Sequence, residues 1–61
     1  MKPKKVSGKA IRKIIDTRTP FGLFYAKEGR FYVGVDNRSG DAWTEEFLTK
    51  RVCLQWLKGE E

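Results

Sequence analysis

The sequence predicts an α+β domain in which a three- to four-stranded antiparallel sheet is packed by one C-terminal helix, in the order β-β-β-α. Three observations predict this class. Residues 31–36 (FYVGVD) send alternate side chains to two faces, with the period of a strand. Residues 37–40 (NRSG) have the composition of a turn. Residues 49–57 place apolar side chains at helical spacing behind a threonine that makes a favourable N-cap.

The amino-terminal residues predict a flexible basic arm over residues 1–8, ahead of a single small α+β domain over residues 9–61. Residues 1–5 (MKPKK) contain a proline and, after the first methionine, no apolar side chain that could be buried. A chain of 61 residues forms one domain and buries only a modest core.

Residues 9–16 fit either a helix or a strand. Ile11, Ile14 and Ile15 stand at helical spacing, and Ser7 could cap a helix. The β-branched isoleucines and Gly8 lower the helix propensity of this short segment. We therefore predict that residues 9–16 form an extra N-terminal strand at the edge of the sheet.

Two further segments predict the rest of the sheet. Residues 21–26 (FGLFYA) are an apolar and aromatic run, and residues 42–47 (AWTEEF) return from the turn as an antiparallel strand. In residues 31–36 the odd-numbered side chains are expected to face the core and the even-numbered ones to lie on the other face. Trp43 and Phe47 are expected to face that same core.

The predicted helix completes the domain. Its apolar stripe, which should lie across the sheet, consists of Val52, Cys53, Trp56 and Leu57. The same segments would also fit a small Greek-key or SH3-like barrel with the helix as a C-terminal appendage. The length and stripe of the helix favour the open sheet.

Charge is unevenly distributed along the chain, whose formal net charge is +5. Residues 1–20 hold seven basic side chains and one acidic side chain, whereas residues 21–61 hold six and seven. A basic arm on a nearly neutral domain points to an acidic partner, nucleic acid first. The alternative is a lysine-rich terminus that only keeps the protein soluble.

The composition argues against several other classes. The chain has no histidine and one cysteine, Cys53, so no intramolecular disulfide and no cysteine-based zinc site can form, and no metal or cofactor is expected. A small open sheet offers its carboxylates little cleft, so we expect no enzyme. No apolar run is long enough to predict a membrane segment, and an unpaired cysteine suits the reducing cytoplasm.

A tyrosine- and valine-containing strand and a glycine turn precede residues 47–50 (FLTK), and residues 56–57 (WL) follow them. This pattern resembles the arm-type DNA-binding domains of phage and transposon integrases. The resemblance covers residues 31–57 and implies a three-stranded antiparallel sheet backed by one C-terminal helix. In that family the exposed sheet face enters the major groove of DNA. The resemblance implies that the corresponding face here consists of Tyr32, Gly34, Thr44 and Glu46, with Arg30 and Arg38 at the strand ends. The chain also looks like small proteins of Gram-positive bacteria and their phages.

Two functions fit the sequence. The first is a small nucleic-acid-binding accessory protein of bacterial or phage origin, with DNA as its partner. The second is a protein-interaction module, such as a phage-encoded modulator of a host protein, that uses a free sheet edge or an acidic outer face to bind its partner. The nucleic-acid-binding residues expected under the first are Lys2, Lys4, Lys5, Lys9, Arg12, Lys13, Arg30, Tyr32, Arg38, Lys50 and Arg51. Glu45 and Glu46 stand close enough in sequence to neutralise Lys50 and Arg51 at the helix start.

Overall fold

The computed structural model of the protein describes residues 2–59, which form a four-stranded open sheet and two helices. The elements, in chain order, are β1 (Lys4–Lys5), α1 (Gly8–Thr17), β2 (Gly22–Glu28), β3 (Phe31–Asn37), β4 (Trp43–Phe47) and α2 (Lys50–Leu57). The strands lie in the order β1-β2-β3-β4, with β1 parallel to β2 and the other neighbours antiparallel. The predicted α+β class, with a C-terminal helix packed on the sheet, is confirmed. Neither helix within the described range has the length and apolar character needed to cross a lipid bilayer.

The strand predicted for residues 9–16 is wrong, because these residues belong to α1. The Ser7 hydroxyl caps the helix by accepting a hydrogen bond from the Ala10 backbone N–H at 3.1 Å. Ile11 and Ile14 are buried against the sheet. Their β-branched side chains lower helix propensity by less than about 0.7 kcal/mol each. Burying an isoleucine contributes about 1.5–3 kcal/mol, so tertiary packing decides the conformation.

The edge strand lies earlier in the chain than predicted, within the segment expected to be a flexible arm. Lys4 and Lys5 pair in parallel with Phe24 and Tyr25, and the Val6 N–H donates to the Tyr25 carbonyl at 2.9 Å. Residues 4–8 therefore connect the sheet to α1 as part of the fold. Met1 lies outside the described residues.

The sheet is covered on both faces, one by each helix. The cluster on the α1 face contains Ile11, Ile14, Phe24, Ala26, Val33 and Val35. The cluster on the α2 face contains Leu23, Tyr25, Cys53 and Leu57. Residues 22–26 of β2 are all buried, and such an unbroken apolar run is the usual pattern of a strand covered on both sides.

The register of β4 corrects the predicted core. Val35 lies opposite Thr44, and Tyr32 lies opposite Phe47. Trp43 and Phe47 therefore face α2, on the opposite side of the sheet from the valines with which they were expected to pack. Phe47 is half-buried and its ring centroid lies 5.6 Å from that of Trp56, whereas Trp43 is 65% exposed.

Asn37 fixes the connection between β3 and β4. Its side chain is fully buried, donates from Nδ2 to the Pro20 carbonyl at 2.8 Å and accepts at Oδ1 from the Ala42 N–H at 3.0 Å. Ala42 has a φ of 51°, in the left-handed region that a non-glycine residue seldom adopts. The two hydrogen bonds hold this unusual backbone beside the loop that precedes β2, and so set which side chains of β4 face α2.

Gly34 marks the place where α2 crosses β3, so it is not on an exposed face. A methyl group at this position would lie 3.1 Å from the Cys53 Sγ and 3.2 Å from the Trp56 Cε3. We expect Gly34→Ala to lower the free energy of unfolding by about 1–3 kcal/mol, because α2 must move to make room. Urea unfolding followed by tryptophan fluorescence measures the change.

A double-mutant cycle with Cys53→Ala provides the control for this prediction. Removing the Cys53 sulfur relieves the shorter of the two close contacts, although that with Trp56 remains, so the double variant should lose less stability than the two single variants together. Strict additivity, or a neutral Gly34→Ala, would contradict the close approach of α2 to β3.

Candidate nucleic-acid interface

An open groove lies between the N-terminal residues and α2. It consists of two adjoining depressions of about 330 and 480 Å³ that share Lys50, Leu54 and Lys58. The remaining lining residues are Lys2, Pro3, Tyr25, Arg51 and Gln55. We call this surface the basic groove, since the described part of the chain lines it with four cations and no carboxylate.

The fold builds the basic groove from two distant parts of the chain. The parallel pairing of β1 with β2 brings Lys2 and Pro3 beside Tyr25, which is buried beneath the groove. The Lys50 ammonium lies 5.8 Å from the centroid of the Tyr25 ring, within the range of a cation–π contact. Tyr25 and Leu54 therefore provide an apolar floor, and the cations line its sides.

The start of α2 is unusually basic for its position. Thr49 caps the helix as predicted, because its Oγ1 accepts a hydrogen bond from the Val52 N–H at 3.2 Å. The first turn that follows contains Lys50 and Arg51 and no acidic residue. Cations near a helix N-terminus are unfavourable by about 0.3–1 kcal/mol each. A local rule broken in this way is often associated with function.

The expected neutralisation of Lys50 and Arg51 by Glu45 and Glu46 does not occur. Within residues 2–59, the ion pairs join Arg12 to Glu28 and Arg38 to Asp36. The two cations at the start of α2 thus remain available to an external anion, as far as the described carboxylates are concerned.

A second group of predicted residues lies on the other side of the sheet. Lys9, Arg12 and Lys13 belong to α1, and Arg12 is engaged by Glu28. Lys4 and Lys13 line a separate depression of about 410 Å³ whose walls are mostly apolar. Lys5 lies opposite Tyr25 and so on the α2 face.

The remaining predicted residues do not join either group. Arg30 lies in the exposed turn between β2 and β3, and Tyr32 is half-buried with the Lys27 ammonium 5.8 Å from its ring centroid. Arg38 donates from Nε and Nη2 to the two carboxylate oxygens of Asp36, at 3.0 and 2.8 Å. These hydrogen bonds lower the pKa of Asp36, so the pair stays charged at neutral pH.

The sheet face implied by the integrase resemblance is not a single surface. Tyr32 and Gly34 lie on the α2 face, whereas Thr44 and Glu46 lie opposite Val35 and Val33 on the α1 face. Gly34 is buried under α2. These four residues therefore cannot form one surface toward the major groove.

Sequence reasoning missed Lys58 and the role of Tyr25. A signal for Lys58 was present, because Lys50, Leu54 and Lys58 are spaced four residues apart and so share one side of a helix. Tyr25 carried no such signal, since its position beneath the groove depends on the pairing of β1 with β2.

The groups that could support catalysis or metal binding are few. Burial raises the pKa of the Cys53 thiol to about 11, so it is neither nucleophilic nor a ready ligand at neutral pH. No cluster of three or more His, Cys, Asp or Glu side chains suited to a metal ion occurs in the part of the chain that the structure describes.

Comparison with protein families, with curated proteins and with solved structures finds no match to this chain. Its function is therefore inferred from its own residues and their geometry.

Proposed function

We propose that the protein is a small non-enzymatic nucleic-acid-binding protein, an accessory factor of bacterial or phage origin, that holds DNA through phosphate contacts in the basic groove. The observation that carries this proposal is the set of four cations, Lys2, Lys50, Arg51 and Lys58, around two connected depressions that no carboxylate of residues 2–59 lines. Phosphate contacts from lysine and arginine supply most of the affinity of sequence-independent binding.

The dimensions of the groove suit a short stretch of backbone. Lys50 and Lys58 are eight residues apart, which corresponds to about 12 Å along a helix axis. One strand of a B-form duplex carries a phosphate about every 3.4 Å of its axis, but the strand winds around that axis and its phosphates lie further apart along the backbone, so the groove would accommodate about two to three phosphates. The apolar floor formed by Tyr25 and Leu54 would lie against sugars. Because these contacts are to the backbone, they give little sequence preference.

The decisive experiment measures DNA binding of the intact protein and of the triple variant Lys50→Gln, Lys58→Gln, Arg51→Gln across a salt series. We expect the variant to lose about tenfold or more in affinity. The slope of log K against log salt should fall by about 2–3, since each lost phosphate contact removes about 0.7–0.9. Fluorescence anisotropy of labelled duplex and single-stranded oligonucleotides provides both quantities.

A charge-matched control separates the groove from general basicity. The triple variant Lys9→Gln, Arg12→Gln, Lys13→Gln removes the same three charges from α1, on the other side of the sheet. It should bind nearly as well as the unmodified protein. An equal loss of DNA affinity in both variants would show that binding depends on the overall positive charge and not on the groove. Absence of DNA binding by the unmodified protein at low salt would refute the proposal. Side-chain substitutions test the groove more directly than deletion of residues 1–8, because the deletion would also remove β1 and the N-cap of α1.

A further inference from the structure

The two edges of the sheet differ in their readiness to accept another strand. β1 is two residues long and consists of Lys4 and Lys5, and both features discourage further pairing. β4 is the last strand at the other edge, and no strand of residues 2–59 pairs with its outer side. Alternate N–H and C=O groups of such a strand point outward. β4 is longer and contains no proline, and its charged residues are Glu45 and Glu46, so this edge is open to a strand that carries the opposite charge.

A cleft of about 480 Å³ lies beside β4 on the side that faces α2, and Trp43 and Trp56 form part of its lining. Glu45 and the Asp36–Arg38 ion pair also line it. Arg38 offsets the charge of Asp36, whereas Glu45 makes no ion pair with the cations of the described chain. Aromatic rings beside an unpaired carboxylate provide a suitable site for a lysine or arginine side chain.

We propose that β4 and this cleft bind a basic extended segment of a partner protein, which adds to the sheet as a fifth strand. The charges of β4 select such a segment. Glu45 points to the α2 face and Glu46 to the α1 face, and both are exposed. Successive residues of an added strand also point to opposite faces. Two adjacent basic residues would therefore meet one carboxylate on each face.

A second copy of the chain fits this edge poorly. Two copies of β4 paired along their full length about a two-fold axis would place Glu45 of one copy opposite Glu45 of the other, and like charges in that position are destabilising. The docking surface is also separate from the basic groove, because α2 presents Leu54 and Lys58 to the groove and Trp56 to the cleft. It thus adds a protein-binding surface to the proposed nucleic-acid-binding one.

The test is a titration of the full chain with fluorescein-labelled nine-residue peptides. Each alternates valine and threonine around a central pair, which is Lys-Lys, Lys-Arg or Arg-Arg in the basic set and Glu-Glu in the reference. We expect the basic peptides to bind at least about tenfold more tightly than the reference. Amide chemical-shift changes should concentrate in β4. Methylation of alternate backbone nitrogens of the peptide, on the side that faces β4, should abolish binding, because strand addition needs those N–H groups.

The matching protein variants locate the site. Glu45→Gln with Glu46→Gln should weaken binding of the basic peptides by about tenfold, since two exposed ion pairs with the peptide are lost. Asp16→Asn with Glu28→Gln removes the same charge away from β4 and should change little. The proposal is overturned if no basic peptide binds at about 1 mM, if methylated peptides bind equally, or if both variants behave alike. Self-association of the unmodified protein, with amide chemical-shift changes in β4 that grow with protein concentration, would overturn it in favour of a second copy.

Discussion

Replacing Asn37 with alanine is expected to lower the free energy of unfolding by about 2–4 kcal/mol, because it leaves two backbone groups without partners. The Pro20 carbonyl and the Ala42 N–H both bond to the Asn37 side chain, which is fully buried. The two hydrogen bonds contribute about 0.5–1.5 kcal/mol each, and the space left by the buried side chain adds to the loss. A domain of this size is only a few kcal/mol stable. We therefore expect a substantial unfolded fraction at 25 °C, measurable by urea titration with tryptophan fluorescence.

Ser39→Ala is the control for the Asn37 prediction. Ser39 lies in the same connection, is exposed, and bonds through its hydroxyl to Asp41 at 2.8 Å. Its replacement should change stability by less than about 0.5 kcal/mol. If Asn37→Ala were equally mild, the connection between β3 and β4 would be held by something other than this side chain.

Ile11→Ala and Ile14→Ala are each expected to cost about 2–4 kcal/mol, the usual range for removing a buried isoleucine. Ile11 is 1% exposed, and both side chains pack on the α1 face of the sheet. The two stability losses together also distinguish the helix from the strand that the sequence allowed for residues 9–16. In a strand, Ile11 and Ile14 would point to opposite faces; in a helix they share one.

The contrasting substitution for this pair is Lys13→Ala, on the exposed side of α1. Alanine favours a helix slightly over lysine, so stability should stay within about 0.5 kcal/mol. A large effect at Ile11 together with a negligible one at Ile14 would indicate that only one of the two is buried, and would contradict the helix.

The sequence predicts the elements of this fold well where one local signal dominates. The alternation of residues 31–36 and the N-cap at Thr49 identify β3 and α2 correctly. Residues 9–16 carried conflicting signals, namely a cap, helical spacing and β-branched side chains, and burial against the sheet resolved them in favour of α1. No local signal could settle that conflict, since the energy that decides it comes from β2 and β3.

The candidate site could be predicted only in part. Charge selected ten of the eleven predicted residues, and of these the basic groove brings together Lys2, Lys50 and Arg51. The α1 cations lie across the sheet, and Arg38 is engaged by Asp36. Charge along a chain does not specify the face on which a side chain emerges. That depends here on two helices covering opposite faces, one of which was expected to be a strand.

The shortness of β1 links folding to occupancy of the groove. Lys2 and Pro3 reach Tyr25 only while Lys4 and Lys5 are paired with β2. A strand held by so few hydrogen bonds opens locally at little cost in free energy. A ligand that binds only the paired form shifts that opening equilibrium by mass action. A ligand bound in the groove would therefore lower the population in which β1 is detached from β2, and tighter binding would lower it further.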